Sequence, residues 1–531
     1  MKSASRRSGA FLVAAGIFLS RLLGLVRAHF LSFALGQSIA ADAWIYAFRI
    51  PGFLNNLFGE GSLSASFIPV YAGLVRDGED EEAGRTAGAV AAVLALTVAV
   101  IVLLGVLFAA PITTLIASGL NQPGKEATRA LTIRLTRILF PGGGLFVMSA
   151  WCLGILNSHR RFFLSYAAPV LWNIAMITAL VVFRNDPSLD HIVVMVAWAS
   201  VIGAGLQFLV QLPAVLRLVQ RLRITFDVSH EPTRVVIRNF LPAFFGRGVN
   251  QISAFIDLWI ASYLPNTLAG LLGYAQNLYM LPVSLFGMSI SAAELAEMSH
   301  VSGDAGDASY TAALRGRLDS GLRRIAFLVV PSAMAFFALG GVVVALIFQG
   351  GRFGHSAAQL TWSIVAGSGV GLLASTMGRL YSSTYYVLRD TRTPLLFAAV
   401  RVALTTALGL LMAIWVPRWL GLDAKWGAAG LTASAGIAAW VEFTLLRRTL
   451  NRRIGPTGLP ASLAALLWMS AGIAAAIAWG AKIVLPAQRP LISGALVVAV
   501  YGIVYFATTA AFKVPESRQL IARARRVLSP A

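Results

Sequence analysis

The chain has 531 residues, is 57% hydrophobic and only 12% charged, and carries a formal net charge of +21. With a mean hydropathy of +0.75, that balance describes a polytopic membrane protein and excludes a water-soluble enzyme or a disordered basic chain. One cysteine, Cys152, excludes an intramolecular disulfide.

A spanning helix needs about 20 apolar residues. On that ruler the N-terminal half predicts segments near 10–35, 42–72, 86–110, 130–156, 162–183, 190–216, 235–262 and 268–297. Six more are expected near 322–348, 358–387, 394–416, 426–447, 459–484 and 490–512. The expected fold is therefore all-α, with fourteen transmembrane helices. The start of the chain, Lys2, Arg6 and Arg7 before an apolar run, has the look of a signal peptide. It lacks a convincing cleavage site and meets Arg21 and Arg27 at once, so it reads as a retained first helix.

An even number of spans puts both termini on one side. Taking that side as cytoplasmic, its loops hold Arg76, Arg85, Arg160, Arg161, Arg217, Arg221, Arg223 and most of the remaining Lys and Arg. The opposite loops hold Lys125, Arg129, Arg184, Arg352, Arg418, Lys425, Lys482 and Arg489. This positive-inside asymmetry explains the net charge through topology and anionic headgroups, with no nucleic-acid partner.

Segments one and two carry charges where lipid-facing helices have none: Arg21 and Arg27 beside the polar Ser20, then Asp42, Arg49 and Glu60. An Arg at mid-membrane costs roughly 2.5–3.5 kcal/mol on insertion scales, so these side chains face a wet interior. At 100° per residue, Asp42, Tyr46, Arg49, Phe53, Asn56 and Glu60 share one stripe. More Arg than acid in this pair of segments predicts a cationic cavity for an anion. The alternative is internal neutralisation, Asp42 and Glu60 pairing with Arg27 and Arg49. Further along, Arg134 and Arg137 either snorkel or bind ligand, Arg247 and Asp257 are ligands or an internal pair, and Glu442 is expected to pair with Arg447 or Arg448.

The halves repeat. Tyr46-Ala47 returns as Tyr274-Ala275 and Phe58-Gly59 as Phe286-Gly287, both 228 residues on. Leu164 and Ala167-Ala168 return as Leu395 and Ala398-Ala399 after 231. Six spans between copies imply parallel repeats. The expected organisation is an N-lobe at 1–225, a C-lobe at 226–453, two extra helices at 454–514 and a basic amphipathic tail at 515–531. The two six-helix lobes would flank a central cavity. Pro51, Gly59 and Gly61, the Pro141-Gly142-Gly143-Gly144 run, and Pro282 with Gly287 predict breaks inside spans. The stretch from Ser299 to Asp319 reads as a flexible link between the lobes. No Walker loop, metal-ligand cluster or hydrolase triad is present, so transport without catalysis is the physical reading.

The run Ser20-Arg21-Leu22-Leu23-Gly24-Leu25-Val26-Arg27 resembles the first helix of the MurJ (MviN) lipid II flippases. Ala41-Asp42-Ala43-Trp44 through Arg49-Ile50-Pro51, with Gly59-Glu60-Gly61 and Phe67-Ile68-Pro69, is similar to that family's second helix. Asn157-Ser158, Arg161-Phe162 and Asp390-Thr391-Arg392-Thr393-Pro394 resemble its later loops. The resemblance implies the MOP exporter fold, with the last two helices forming a groove for an isoprenoid tail. It implies a non-enzymatic flippase, without cofactor or metal, that moves undecaprenyl-diphosphate-linked peptidoglycan precursor (lipid II) across the bacterial inner membrane. Lipid II, membrane lipids and cell-wall synthesis proteins are the implied partners, and cell-wall biogenesis and cell shape the implied processes. The substrate-binding set is then Ser20, Arg21, Arg27, Asp42, Arg49, Asn55, Glu60, Arg247 and Asn277.

The chain departs from the family pattern at Ala28, where an acid is common, at Asn55-Asn56, where an Arg pair is common, and at Asn277 and Met280, where Arg and Glu are. Another polyprenyl-linked oligosaccharide flippase, a multidrug exporter of the same superfamily and a non-transporting cell-wall scaffold remain as alternatives. A sodium site that resemblance to some family members would put among segments seven, eleven and twelve needs oxygen ligands. Segment eleven has no acid and carries Arg401, so an Arg401–Asp257 ion pair is expected in its place, against the alternative that Arg401 snorkels.

Overall fold

A computed structural model describes the backbone of residues 2–219, 221–301, 303, 307–484 and 490–518; side chains are described except at 2–15, 17–18, 60, 243, 245–250, 252–253 and 490. Among the described residues the chain is helical, with one isolated bridge between Gly350 and Phe353. It separates into two compact units, Met1–Gly270 and Leu271–Ala531.

The first unit contains α1 (Lys2–Leu35), α2 (Ile39–Phe58), α3 (Glu60–Asp77), α4 (Asp80–Leu107), α5 (Ala109–Ile116), α6 (Glu126–Ser158), α7 (Phe162–Val182), α8 (Leu189–Leu218) and α9 (Glu231–Ala261). From α10 (Leu268–Pro282), which begins at the boundary, the second continues with α11 (Ser289–Ser299), α12 (Ala308–Ala338), α13 (Gly340–Phe348), α14 (His355–Val387), α15 (Arg392–Leu410) and α16 (Val416–Trp419). It ends with α17 (Gly427–Ile454), α18 (Ala461–Val484) and α19 (Pro490–Ala511). Eleven helical stretches among the described residues are long and apolar enough to cross a membrane. The other long stretches, α1, α2–α3 and α9, hold Arg21, Arg27, Asp42, Arg49 and Asp257, the charges singled out above.

In the first unit α6 lies at the centre, against α2, α4 and α8. Its inner face, Val147, Trp151, Cys152 and Ile155, meets Phe67 and Tyr71 of α3 and Ala87 and Val90 of α4 in one apolar core. The indole of Trp151 donates to the Ala87 carbonyl at 3.2 Å. The expected break at Pro141-Gly142-Gly143-Gly144 does not occur, since α6 runs unbroken through it. The glycines serve packing instead: a Cβ on Gly143 would meet Leu54 at 2.9 Å and the Pro51 backbone at 3.2 Å. Close approach of α2 to α6, rather than bending, is what requires Gly there.

α9 was expected in the second lobe and packs with the first unit. Phe58 of α2 meets Phe244 at 5.0 Å between ring centroids, and Phe53 meets Phe255 at 5.0 Å, both edge to face. Such aromatic contacts outweigh the sequence boundary drawn at a loop. The preceding connection is clamped onto the start of α4. Glu81 takes Arg221 at 2.8 Å and Arg223 at 3.1 Å, Arg85 takes Asp227 at 2.5 Å, and His230 bonds Glu82. Hydrogen bonds from Ser229 and Arg85 hold the Asp227 carboxyl down to about 2. Several of the loop cations counted above are thus engaged by acids.

In the second unit Tyr505 donates to the Phe327 carbonyl and Tyr501 to that of Pro331, both at 2.7 Å, tying α19 to α12. The Trp479 indole of α18 does the same at Ala338, 2.8 Å away. The Asp390-to-Pro394 motif starts α15: the Asp390 carboxylate accepts from Thr393 N (3.0 Å) and Oγ1 (2.6 Å) and from Arg453 (2.7 Å). Those bonds hold its carboxyl down to about 2. The connection before α12 is shorter than expected, because α12 begins at Ala308, and it lies within the second unit. Asp307, within the stretch read as a flexible link, caps that helix by accepting from Ser309 N at 2.8 Å. Asp304 and residues 519–531 of the expected amphipathic tail lie outside the described residues.

The internal repeat has structural counterparts. Tyr46 and Tyr274 are 2% and 1% exposed, and Ala47 and Ala275 are as deeply buried. Gly59 ends α2, and Gly287 lies within the π-helical turn Val283–Met288 that follows Pro282. The two positions both depart from α-helical hydrogen bonding, Gly59 as a break between helices and Gly287 within a π turn.

Candidate functional site

The charged face of α1 and α2 is built around Arg27. Its guanidinium carbon lies 4.3 Å from the Trp172 ring centroid and 5.9 Å from that of Phe48. Trp172 is itself held. Phe48 stacks on it at 5.9 Å, Phe146 meets it edge-on at 5.4 Å, and its indole donates to Ser200 Oγ at 3.1 Å. Trp44 stacks on Phe48 at 4.8 Å. A guanidinium over Trp gains about 0.5–2 kcal/mol and leaves its in-plane N–H groups free to donate. Arg27 Nη1 is buried and has no hydrogen-bond partner. The box presents a cation with an unused donor, the arrangement that accepts an oxyanion.

The remaining predicted residues divide. Arg49 and Phe53 are half-buried. Ser20 is half-buried and Arg21 exposed. Asn55 is half-buried beside the Gly59 break, where its carbonyl accepts the Gly59 N–H at 2.9 Å. Among the described residues, no carboxylate lies within salt-bridge distance of Arg21, Arg27 or Arg49, so the expected neutralisation by Asp42 is not formed. The side chains of Glu60 and Arg247 lie outside those described. Asn277 is exposed on α10 and bonds the Gly273 carbonyl of its own helix at 3.1 Å.

Asp42 requires a correction. It was expected to face a wet interior, and it is 3% exposed. Its Oδ2 accepts from Thr267 N at 2.5 Å and its Oδ1 from Gly270 N at 2.7 Å, at the start of α10. The carboxylate is a helix cap, satisfying donors that α10 cannot pair itself and complementing its dipole. Thr267 has a φ of 75°, unfavourable for a β-branched residue, and Gln37 holds its hydroxyl at 3.1 Å. Lys125 braces the same turn from the other side, donating to Ser262 O (2.6 Å) and Leu264 O (2.7 Å).

The Arg401–Asp257 pair is also corrected. Arg401 bonds Glu442 at 3.3 Å, between α15 and α17. Arg447, an expected partner of Glu442, instead donates to the Thr457 carbonyl at 2.9 Å. Both partners lie in neighbouring helices of one unit, and pairing them locally compensates two half-buried charges at once. Sequence reasoning did not find Trp172, Phe48 or Ser200. Aromatic residues are abundant in apolar segments, and no spacing marks the one that faces an Arg on another helix.

Residues 31–498 match the family model described as lipid II flippase MurJ. The chain belongs to the MurJ family. A curated lipid II flippase MurJ from Burkholderia cenocepacia is 32% identical over 439 residues, covering 82% of each chain. A probable lipid II flippase MurJ from Bdellovibrio bacteriovorus is 32% identical over 449 residues, covering 83% of this chain and 82% of its own. In fold, the chain resembles a lipid II flippase MurJ solved in an inward closed conformation, with a TM-score of 0.77 over 96% of this chain and 100% of that one at 21% identity. An inward-facing multidrug resistance MATE transporter of the MOP superfamily follows at 0.65, 83% and 98%, with 16% identity. The all-helical membrane fold expected from the resemblance is therefore present.

Proposed function

We propose that this MurJ-family chain flips lipid II from the inner to the outer leaflet of a bacterial cytoplasmic membrane by alternating access, with both termini cytoplasmic. The observation that carries the reading is the aromatic box around Arg27, whose buried Nη1 has no acceptor of its own. A diphosphate supplies the missing oxygens, and Arg21 and Arg49 add positive charge on the same pair of helices. The isoprenoid tail can stay in lipid, so only the headgroup needs shielding. No bond is broken, and no catalytic residue is called for. The test is complementation of a conditional lipid II flippase depletion strain, paired with flipping by the purified protein in vesicles. Growth without added flippase supports the reading; flipping of a different polyprenyl diphosphate with no rescue overturns the cargo.

Asn277 stands 228 residues after Arg49, at the corresponding position of the repeat. It offers hydrogen bonds without charge. Asn277→Ala is expected to reduce flipping less than Arg49→Ala does; an equal or greater loss contradicts this ranking. The Arg401–Glu442 pair places a guanidinium beside a carboxylate that could otherwise hold a cation. Flipping is therefore expected to keep its rate when sodium is replaced by potassium, and sodium-dependent transport would refute this.

A further inference from the structure

At the end of the first unit where α5 meets α6 and α9, a hollow of about 650 Å³ opens to the surface. Arg129 lines it together with Trp259, Ser118 and Thr114, over an apolar side made by Pro111 and Leu115. Arg129 Nε is buried without a hydrogen-bond partner. Among the described residues no carboxylate lies within salt-bridge distance of Arg129. The nearest acid in sequence, Glu126, is engaged by the Gly124 N–H at 3.1 Å. Lys125 is spent on the Ser262 and Leu264 carbonyls, and the Ser118 hydroxyl is held 3.0 Å from Tyr263 OH. Beside the hollow, Leu107, Phe108 and Leu115 are 62%, 53% and 78% exposed.

We propose that this hollow binds the headgroup of an anionic phospholipid, with the phosphate on Arg129 and the acyl chains along Leu115, Leu107 and Phe108. A guanidinium is suited to two phosphate oxygens at once, and an orphaned buried Nε is a donor with nothing else to bond. Trp at such a position suits the membrane–water boundary, where its ring spans apolar and wet surroundings. No free acid in the hollow offers a partner to a choline or ethanolamine amine, which disfavours zwitterionic lipid. The exposed apolar rim needs chains to cover it, which disfavours free phosphate. The site is separate from the Arg27 box and rests on the membrane-spanning fold, not on the cargo.

The test is native mass spectrometry of the purified full chain with phosphatidylglycerol, phosphatidylcholine or inorganic phosphate. Wild type is expected to retain phosphatidylglycerol over phosphatidylcholine, with excess phosphate failing to displace it. Arg129→Gln should weaken that retention roughly tenfold, about 1.4 kcal/mol. Arg129→Lys should keep part of it, as a point charge without the fork. Leu115→Asp, at an exposed position that leaves the core intact, should weaken it through repulsion. Unchanged retention in both Arg129→Gln and Leu115→Asp, equal retention of the two lipids, or ready displacement by phosphate would each overturn the proposal. Because flipping is not the readout, a failed cargo assignment leaves this result intact.

Discussion

Arg27→Ala is expected to abolish rescue of a flippase-depleted strain while the protein still inserts and accumulates. The loss should exceed that from Arg21→Ala, because Arg21 is exposed and Arg27 is fixed by the ring of Trp172 at 4.3 Å. The box makes the prediction sharper than a charge argument alone. If Trp172 aims the guanidinium, Trp172→Phe should keep most activity and Trp172→Leu should not, since leucine fills space but has no negative ring face. A cation–π contact of about 0.5–2 kcal/mol corresponds to a roughly two- to thirtyfold effect on headgroup affinity. Arg27→Lys should rescue poorly, since an ammonium lacks the planar fork. Replacing Trp172 by tryptophans of rising fluorine content separates positioning from packing. Affinity should fall stepwise with ring electron density at nearly constant size. A flat series, or an active Trp172→Leu, would remove Trp172 from the site.

The second large effect is expected at Asp42, and it should appear first in stability. Asp42→Ala leaves the Thr267 and Gly270 N–H groups without acceptors in a buried place. Each orphaned group costs about 1–3 kcal/mol, and the left-handed Thr267 loses a bond that holds it. The purified variant should melt several degrees lower than wild type, since 1 kcal/mol moves the midpoint of a domain this size by about 2–4 °C. Asp42→Asn should fall between, because its amide oxygen still accepts one bond but brings no charge to the helix end. Normal melting with lost flipping would instead place Asp42 on the substrate, as the sequence first suggested.

Much of this was readable from composition and periodicity. A chain that is 57% hydrophobic and 12% charged must bury its backbone bonds in helices to cross a bilayer. The stripe from Asp42 to Asn56 is one helix face, and the disruption at Gly59 with its counterpart at Gly287 lies where glycine and the repeat put them. Periodicity reports which residues share a face, because that depends only on neighbours within a turn or two.

What each face meets depends on packing between distant elements, and there the tertiary structure decided. Asp42 finds its partner 225 residues away, at the start of α10. Arg27 lies on Trp172, and Arg401 pairs with Glu442 rather than Asp257. α9 sides with the first unit because aromatic rings at 53, 58, 244 and 255 fit one another. Both Asp42 and Arg27 were legible as buried charges that needed something. A charge in an apolar surrounding announces that it must be compensated, but a backbone N–H, a ring face and an opposite charge can all compensate it, and only the assembled helices select among them.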